Sequence, residues 1–162
     1  MTQILLVQGP NMTRLGQREP EKYGRTTAAE LDAQLRAHAA SRGYELEIFY
    51  THVEGAAIER IYAAADAGVD ALVMNPAGCT YAGYALRDCL RAVQQVLPYV
   101  EVHILTPEER ATRSIPGEAA AGTVQGFGPR SYLLGLEAAL MICGHPGWYD
   151  CAPLPGRPGS AA

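Results

Sequence analysis

The chain opens with a short apolar run, QILLVQ at 3–8, stopped by Gly9 and Pro10. A run of that length with no polar alternation predicts a strand covered on both faces, as in parallel sheets. Thr27 and Glu30 then form a capping-box signature, and Leu31 and Leu35 at i, i+4 predict a helix to Arg42 that Gly43 stops. YELEIFY at 44–50 alternates and is rich in β-formers, predicting a second strand. Ala57, Ile58, Ile61, Tyr62 and Ala65 mark a helix closed near Gly68, and ALVM at 71–74 a third strand ending at Asn75 and Pro76. Ala85, Leu86, Cys89, Leu90 and Val93 give a helix over 82–94, and YVEV at 99–102 a fourth strand ending at His103. Residues 105–119 read as irregular and GTVQ at 122–125 as a weaker fifth strand. Pro129 stands at the N1 position of a last helix that carries Tyr132, Leu133, Leu136, Ala139 and Leu140.

Strands alternating with helices of this length predict βαβ units with right-handed crossovers, hence an α/β fold with helices on both faces of a parallel sheet. Five strands in this pattern fit a three-layer αβα architecture of flavodoxin-like order 2-1-3-4-5. One domain is expected over 1–142, followed by a Pro-, Gly- and Ser-rich tail at 143–162 without regular structure.

Composition narrows the function. With 162 residues, 48% of them hydrophobic and 19% charged, the chain suffices for one domain with a core. A net charge of −4 without a basic run argues against nucleic acid as a partner. No apolar run reaches membrane-span length and the first strand starts almost at once, so no membrane partner, no signal peptide and a cytoplasmic location are expected. Cys79, Cys89, Cys143 and Cys151 lack CxxC spacing and read as small apolar residues; no metal is expected, the set Cys143, His145 and Cys151 being the weaker reading. Lys22 is the only lysine, which removes a buried Schiff-base lysine and a P-loop lysine together.

The stretch from Gln8 to Gly24 is a polar loop with no core to bury, dense in Arg and Tyr at the mouth of a strand. Loops of that kind carry function more often than packing. Three strand ends carry polar groups that the apolar pattern does not call for: Asn11, Asn75 and His103. In the order 2-1-3-4-5 their strands are neighbours, on the rim where open parallel sheets bind ligands. The first turn is Gly-Pro-Asn rather than G-x-G-x-x-G, and Pro10 lacks an N–H that a phosphate would need, so no dinucleotide or flavin is expected. The acidic pair and lysine of a phospho-receiver are missing as well. What remains is acid–base chemistry on a small molecule, without a cofactor. His103 is a natural general acid that Glu101, two residues back on the same strand face, can orient. Tyr23 can act as base if Arg18 lowers a phenol pKa of roughly 10. Asn11 and Asn75 can hold a hydroxyl, a water or a developing enolate.

These residues fall within blocks that resemble the type II 3-dehydroquinate dehydratases. GPN at 9–11, LGxREPxxYG at 15–24, EG at 54–55, NPA at 75–77, ALRD at 85–88, EVH at 101–103 and GxGPxxYLLxLEAAL at 126–140 occur in the family's order. The resemblance implies a cofactor-free hydro-lyase of flavodoxin-like fold that assembles as trimers and, commonly, as a dodecamer. It assigns Tyr23 as the base that removes a proton α to a ketone, Arg18 as its activator on a closing lid, and Asn11 as holder of the water that stabilises the enolate. His103 would protonate the departing hydroxyl, Glu101 would position it, and Asn75 would bind a ring hydroxyl. Asp88 would reach a neighbouring subunit's site, with Tyr84, Arg87 and Arg91 on the same trimer face.

Departures from the pattern mark this chain as a divergent member. Gln8 replaces a usual Asn, Tyr81 a substrate-contacting His, and Leu105 a Ser that helps clamp the substrate carboxylate, leaving the backbone N–H groups of Ile104 and Leu105 for that task. The Arg-rich stretch is shortened, so the substrate-binding arginine is Arg110 or Arg113, with Arg113 favoured. Groups that move protons are kept and groups that recognise substrate are altered. Two activities follow: dehydration of 3-dehydroquinate, or the same machinery applied to another β-hydroxy ketone in specialised metabolism. A non-catalytic binding protein is the third reading, against which the joint presence of Tyr23, Arg18 and His103 speaks.

Overall fold

In the structure, a computed structural model describing residues 1–144, the elements in chain order are β1 (Gln3–Gln8), α1 (Pro20–Tyr23), α2 (Ala28–Arg42), β2 (Glu45–Tyr50), α3 (Glu54–Asp66), β3 (Ala71–Asn75), α4 (Tyr84–Val93), β4 (Tyr99–His103), α5 (Pro107–Arg110), β5 (Gly122–Gln125) and α6 (Arg130–Gly144). Every strand pairing is parallel, and the sheet order is β2-β1-β3-β4-β5, as the apolar pattern predicts.

Side-chain alternation divides the core in two. Ile4, Leu6, Val73, Val100 and Val102 point to one face, where Leu31 and Leu35 of α2 and Tyr132 and Leu136 of α6 cover them. Leu5, Val7, Leu72 and Met74 point to the other, against Ile61 of α3 and Leu86 and Leu90 of α4. Each such buried side chain contributes about 1.5–3 kcal/mol of transfer free energy, so both helical layers are held by the sheet they cover. The predicted capping box at α2 is complete: the Thr27 hydroxyl accepts from the Glu30 N–H at 3.2 Å, and the Glu30 carboxylate accepts from the Thr27 N–H at 2.8 Å.

Three expectations need correction. The 8–24 loop does bury apolar groups, because Met12, in a 3-10 turn over Met12–Arg14, and Leu15 insert into the α2/α6 side of the core. Its longest exposed run is residues 17–22, which reaches into the single turn of α1. The 105–119 stretch is not irregular throughout: Thr106 and Glu109 form a second complete capping box that starts α5, and Pro116–Ala119 is a 3-10 turn. The T-x-x-E signature for α5 was present in the sequence. Lastly, α6 runs through Gly144, two residues past the expected boundary at 142; the rest of the tail, with His145 and Cys151, lies outside the described residues.

The rim is set by a close approach. Gly9 donates to the Asn75 carbonyl at 2.8 Å, and a Cβ on Gly9 would sit 2.5 Å from the Pro76 carbonyl oxygen. Only glycine lets the ends of β1 and β3 meet there.

Candidate active site

The carboxyl ends of β1, β3 and β4 open into a cleft of about 190 Å³, and Asn11, Asn75 and His103 all line it. Arg18, Lys22 and Tyr23 close one side, Tyr81 and Arg110 another, and Ile104 and Leu105 continue the wall beyond His103. The structure therefore brings together eight of the residues singled out from sequence and Arg110 besides, while Glu101 stands behind His103 and lines the neighbouring groove.

On β4 the face that should be apolar carries Tyr99, Glu101 and His103, each no more than 2% exposed. His103 Nε2 lies 2.5 Å from Glu101 Oε1. A carboxylate can only accept, so Nε2 carries the hydrogen and Nδ1 is left as the other functional nitrogen. Glu101 Oε2 accepts from Tyr99 Oη at 2.6 Å and from Ser114 Oγ at 3.0 Å. Burial, with the Glu101 carboxylate beside it, holds the Tyr99 phenol well above the usual tyrosine range, so it stays a donor.

Asn75 is buried and held from both ends. Its Nδ2 donates to Tyr132 Oη at 2.7 Å and its Oδ1 accepts from the Ala77 N–H at 3.0 Å, while Tyr132 Oη donates to Gln8 Oε1 at 2.8 Å. Asn11 takes a left-handed conformation, φ 71°, directly after the Gly-Pro turn, and its backbone N–H donates to His52 Nδ1 at 3.1 Å.

In the 8–24 loop, the Arg18 guanidinium carbon lies 5.4 Å from the Tyr23 ring centroid and Lys22 Nζ 5.5 Å from it. Both cations thus pack against the one phenol ring. Arg18 also lies 3.4 Å from Glu19.

Among the recognition residues the structure separates the two arginines. Arg110 reaches into the cleft; its buried Nε has no partner among the described residues, and burial pulls its pKa below the usual arginine value. Arg113, the arginine favoured from sequence, is 82% exposed, lies 3.6 Å from Glu118 and borders only the neighbouring groove of about 600 Å³, which Arg110 and Glu101 also line. The cause is local: α5 lasts one turn, and Ala111 in a left-handed conformation, φ 53°, reverses the chain outward. Tyr81 stands exposed at the rim on the turn after β3, whereas the Leu105 side chain is buried in the core. Among the described residues neither the Ile104 nor the Leu105 amide donates a hydrogen bond. Asp88 is outside its own chain's cleft, exposed on α4 and 3.0 Å from Arg87, which in turn stacks over Tyr84 at 5.2 Å.

Sequence reasoning missed Tyr99, Ser114, Tyr132 and His52. Tyr99 was the most accessible of these, since it precedes Glu101 by the same two-residue step that links Glu101 to His103. The other three reach the site from distant segments.

Fold and site together define a doubly wound α/β protein with a polar cleft on the sheet's carboxyl rim, bordered by the loop that carries Arg18 and Tyr23. Comparison with known proteins narrows the class: the chain belongs to the class II dehydroquinase family, whose model matches residues 2–140. It is 42% identical over 143 residues to a 3-dehydroquinate dehydratase of Xanthomonas campestris pv. campestris, a match covering 86% of this chain and 95% of that one. It is 45% identical over 142 residues to the 3-dehydroquinate dehydratase of Desulforudis audaxviator, covering 86% and 93%. The crystal structure of a type II dehydroquinase from Butyrivibrio crossotus superposes with a TM-score of 0.81 at 31% identity, covering 86% of this chain and 97% of the other.

Proposed function

We propose that this protein dehydrates 3-dehydroquinate to 3-dehydroshikimate through an enolate. The observation that carries the reading is the joint presence, in one cleft, of His103, backed by Glu101, and the Arg18–Tyr23 loop. Tyr23 as phenolate takes the proton α to the ketone, and the electron pair moves onto the carbonyl oxygen. A water held by Asn11 stabilises that oxygen. The enolate then collapses, the β C–O bond breaks, and His103 delivers its proton to the departing hydroxyl as water. Glu101 keeps the imidazole oriented, and Asn75 fixes a ring hydroxyl. The elimination transfers no electrons between partners, so the chemistry calls for no redox cofactor.

Arg110, with the free amides of Ile104 and Leu105, supplies a carboxylate clamp, in place of the Arg113 favoured from sequence. The reading includes a homo-oligomer of trimer units, in which Asp88 serves a neighbour's site from the α4 face, and a cytoplasmic setting. Among the described residues no helix is long and apolar enough to cross a membrane.

Incubation with 3-dehydroquinate, followed by the ultraviolet absorbance of the conjugated enone, tests the reaction. Turnover that Tyr23→Phe abolishes is expected; no turnover at high enzyme concentration removes the reading. The second reading, another β-hydroxy ketone, draws on the buried Leu105 side chain and the exposed Tyr81 at recognition positions. It requires that Leu105→Ser with Tyr81→His creates dehydroquinate activity in an otherwise inert protein.

A further inference from the structure

Glu101 is held by more than its partnership with His103 demands. A carboxylate that only oriented the imidazole could leave its second oxygen to water, yet Glu101 is 1% exposed. That second oxygen accepts from Tyr99 Oη at 2.6 Å and from Ser114 Oγ at 3.0 Å. The Ser114 hydroxyl is itself committed, because it accepts from the Gly117 N–H at 3.1 Å and must send its hydrogen to Glu101. We infer that Tyr99 and Ser114 are positioning residues that set the acid strength of His103 by drawing charge from the far oxygen of Glu101. This rests on the proposed dehydration, in which His103 gives up a proton.

The reason lies in burial. An ionised carboxylate in contact with an imidazolium attracts the proton far more strongly inside a protein than in water. Unshared, that attraction would make His103 a poor donor to a leaving hydroxyl. Two neutral O–H donors on Oε2 share the carboxylate's charge without adding any, which weakens its hold on the His103 proton. The groups facing the pair are Arg110, whose guanidinium interacts with Glu101, Cys79 behind Tyr99, Glu108, Arg113 and Glu118 along the groove that Glu101 borders, and Arg18, Lys22, Tyr23 and Tyr81 around the cleft. Removing either hydroxyl leaves all of these in place.

The test uses Tyr99→Phe and Ser114→Ala, singly and combined, in the full chain. Steady-state turnover of 3-dehydroquinate is followed against pH, and the imidazole of His103 is titrated by NMR without substrate. kcat near neutral pH is expected to fall about ten- to a hundredfold, the scale of losing a hydrogen bond to a charged group, with KM nearly unchanged. The NMR titration and the basic limb of the rate profile should both move upward relative to wild type, and further in the double variant. Ser114→Thr, which keeps the hydroxyl, should restore the wild-type titration. A titration that stays put or moves down, or a loss carried by KM, overturns the inference. Absence of wild-type turnover would strike the proposed reaction instead, and the NMR arm would still decide the role of the two hydroxyls.

Discussion

Asn75 Nδ2 and Tyr132 Oη meet at 2.7 Å across 57 residues of sequence, joining the end of β3 to α6 beneath the cleft. The same Oη donates to Gln8 Oε1 at 2.8 Å, so one phenol serves the ends of two strands. Tyr132→Phe leaves two buried polar groups short of a partner, at about 1–3 kcal/mol each. The urea midpoint should fall accordingly, and KM should rise because Asn75 loses its fixed amide orientation. An unchanged midpoint would show that the phenol is not shared as described.

Arg110 and Arg113 lie three residues apart and give a clean contrast. Arg110→Ala should raise KM about ten- to a hundredfold, since a charge-assisted bond to substrate is lost in a half-buried setting. Arg113→Ala should leave KM within about twofold, because an exposed pair with Glu118 is worth at most about 1 kcal/mol. Equal KM effects would undo the assignment of the carboxylate clamp.

The difference between those two arginines also shows what the sequence could express. The sheet order and the rim triad were legible, because strand alternation and strand ends follow from local pattern: Asn75 and His103 terminate their strands, Asn11 follows β1 by one Gly-Pro turn, and the three meet in one cleft. The direction of Arg113 was not, because it depends on a left-handed Ala111, a residue type that gives no warning of positive φ. Ser114 and Tyr132 were equally silent, since each reaches the site across a gap that no periodicity measures. Met12 and Leu15 were misread for a related reason: two apolar residues in a polar loop form no period, yet both anchor its first half.

Glu137 on α6 ties the outer helical layer together and makes a pH-dependent contribution. Arg42 donates to its two oxygens at 2.8 and 2.9 Å, and His38 Nε2 lies 2.9 Å from Oε1. Burial pushes the Glu137 carboxyl up, but the bonds from Arg42 and His38 outweigh it and the net pKa is lowered. A depressed folded-state value means stability that is present above the unfolded value of about 4.3 and is lost as pH falls through the folded one. The melting-temperature gap between wild type and Glu137→Gln should therefore hold from neutral pH to about 5 and narrow below it. Because Arg42 is largely exposed, the gap should correspond to about 1 kcal/mol or less. A gap that widens in acid would reverse the sign of the argument.

Gly117 owes its place to the carboxylate it covers. A Cβ there would lie 2.9 and 3.1 Å from the two oxygens of Glu101 and 3.1 Å from Ser114 Cβ. Its backbone is not among the left-handed glycines, so alanine meets no torsional objection and acts through contact alone. Either Glu101 gives way, which lengthens its bond to His103, or the Pro116–Ala119 turn moves and takes the Ser114 hydroxyl with it. Both routes disturb the acid, so Gly117→Ala should lower kcat about tenfold, roughly one hydrogen bond to a charged group. Gly122→Ala provides the control, since a Cβ there meets nothing within 4 Å. Its kinetics should match wild type. If Gly117→Ala also matches wild type in kcat and pH profile, Glu101 tolerates displacement, and its geometry is not what makes His103 an acid.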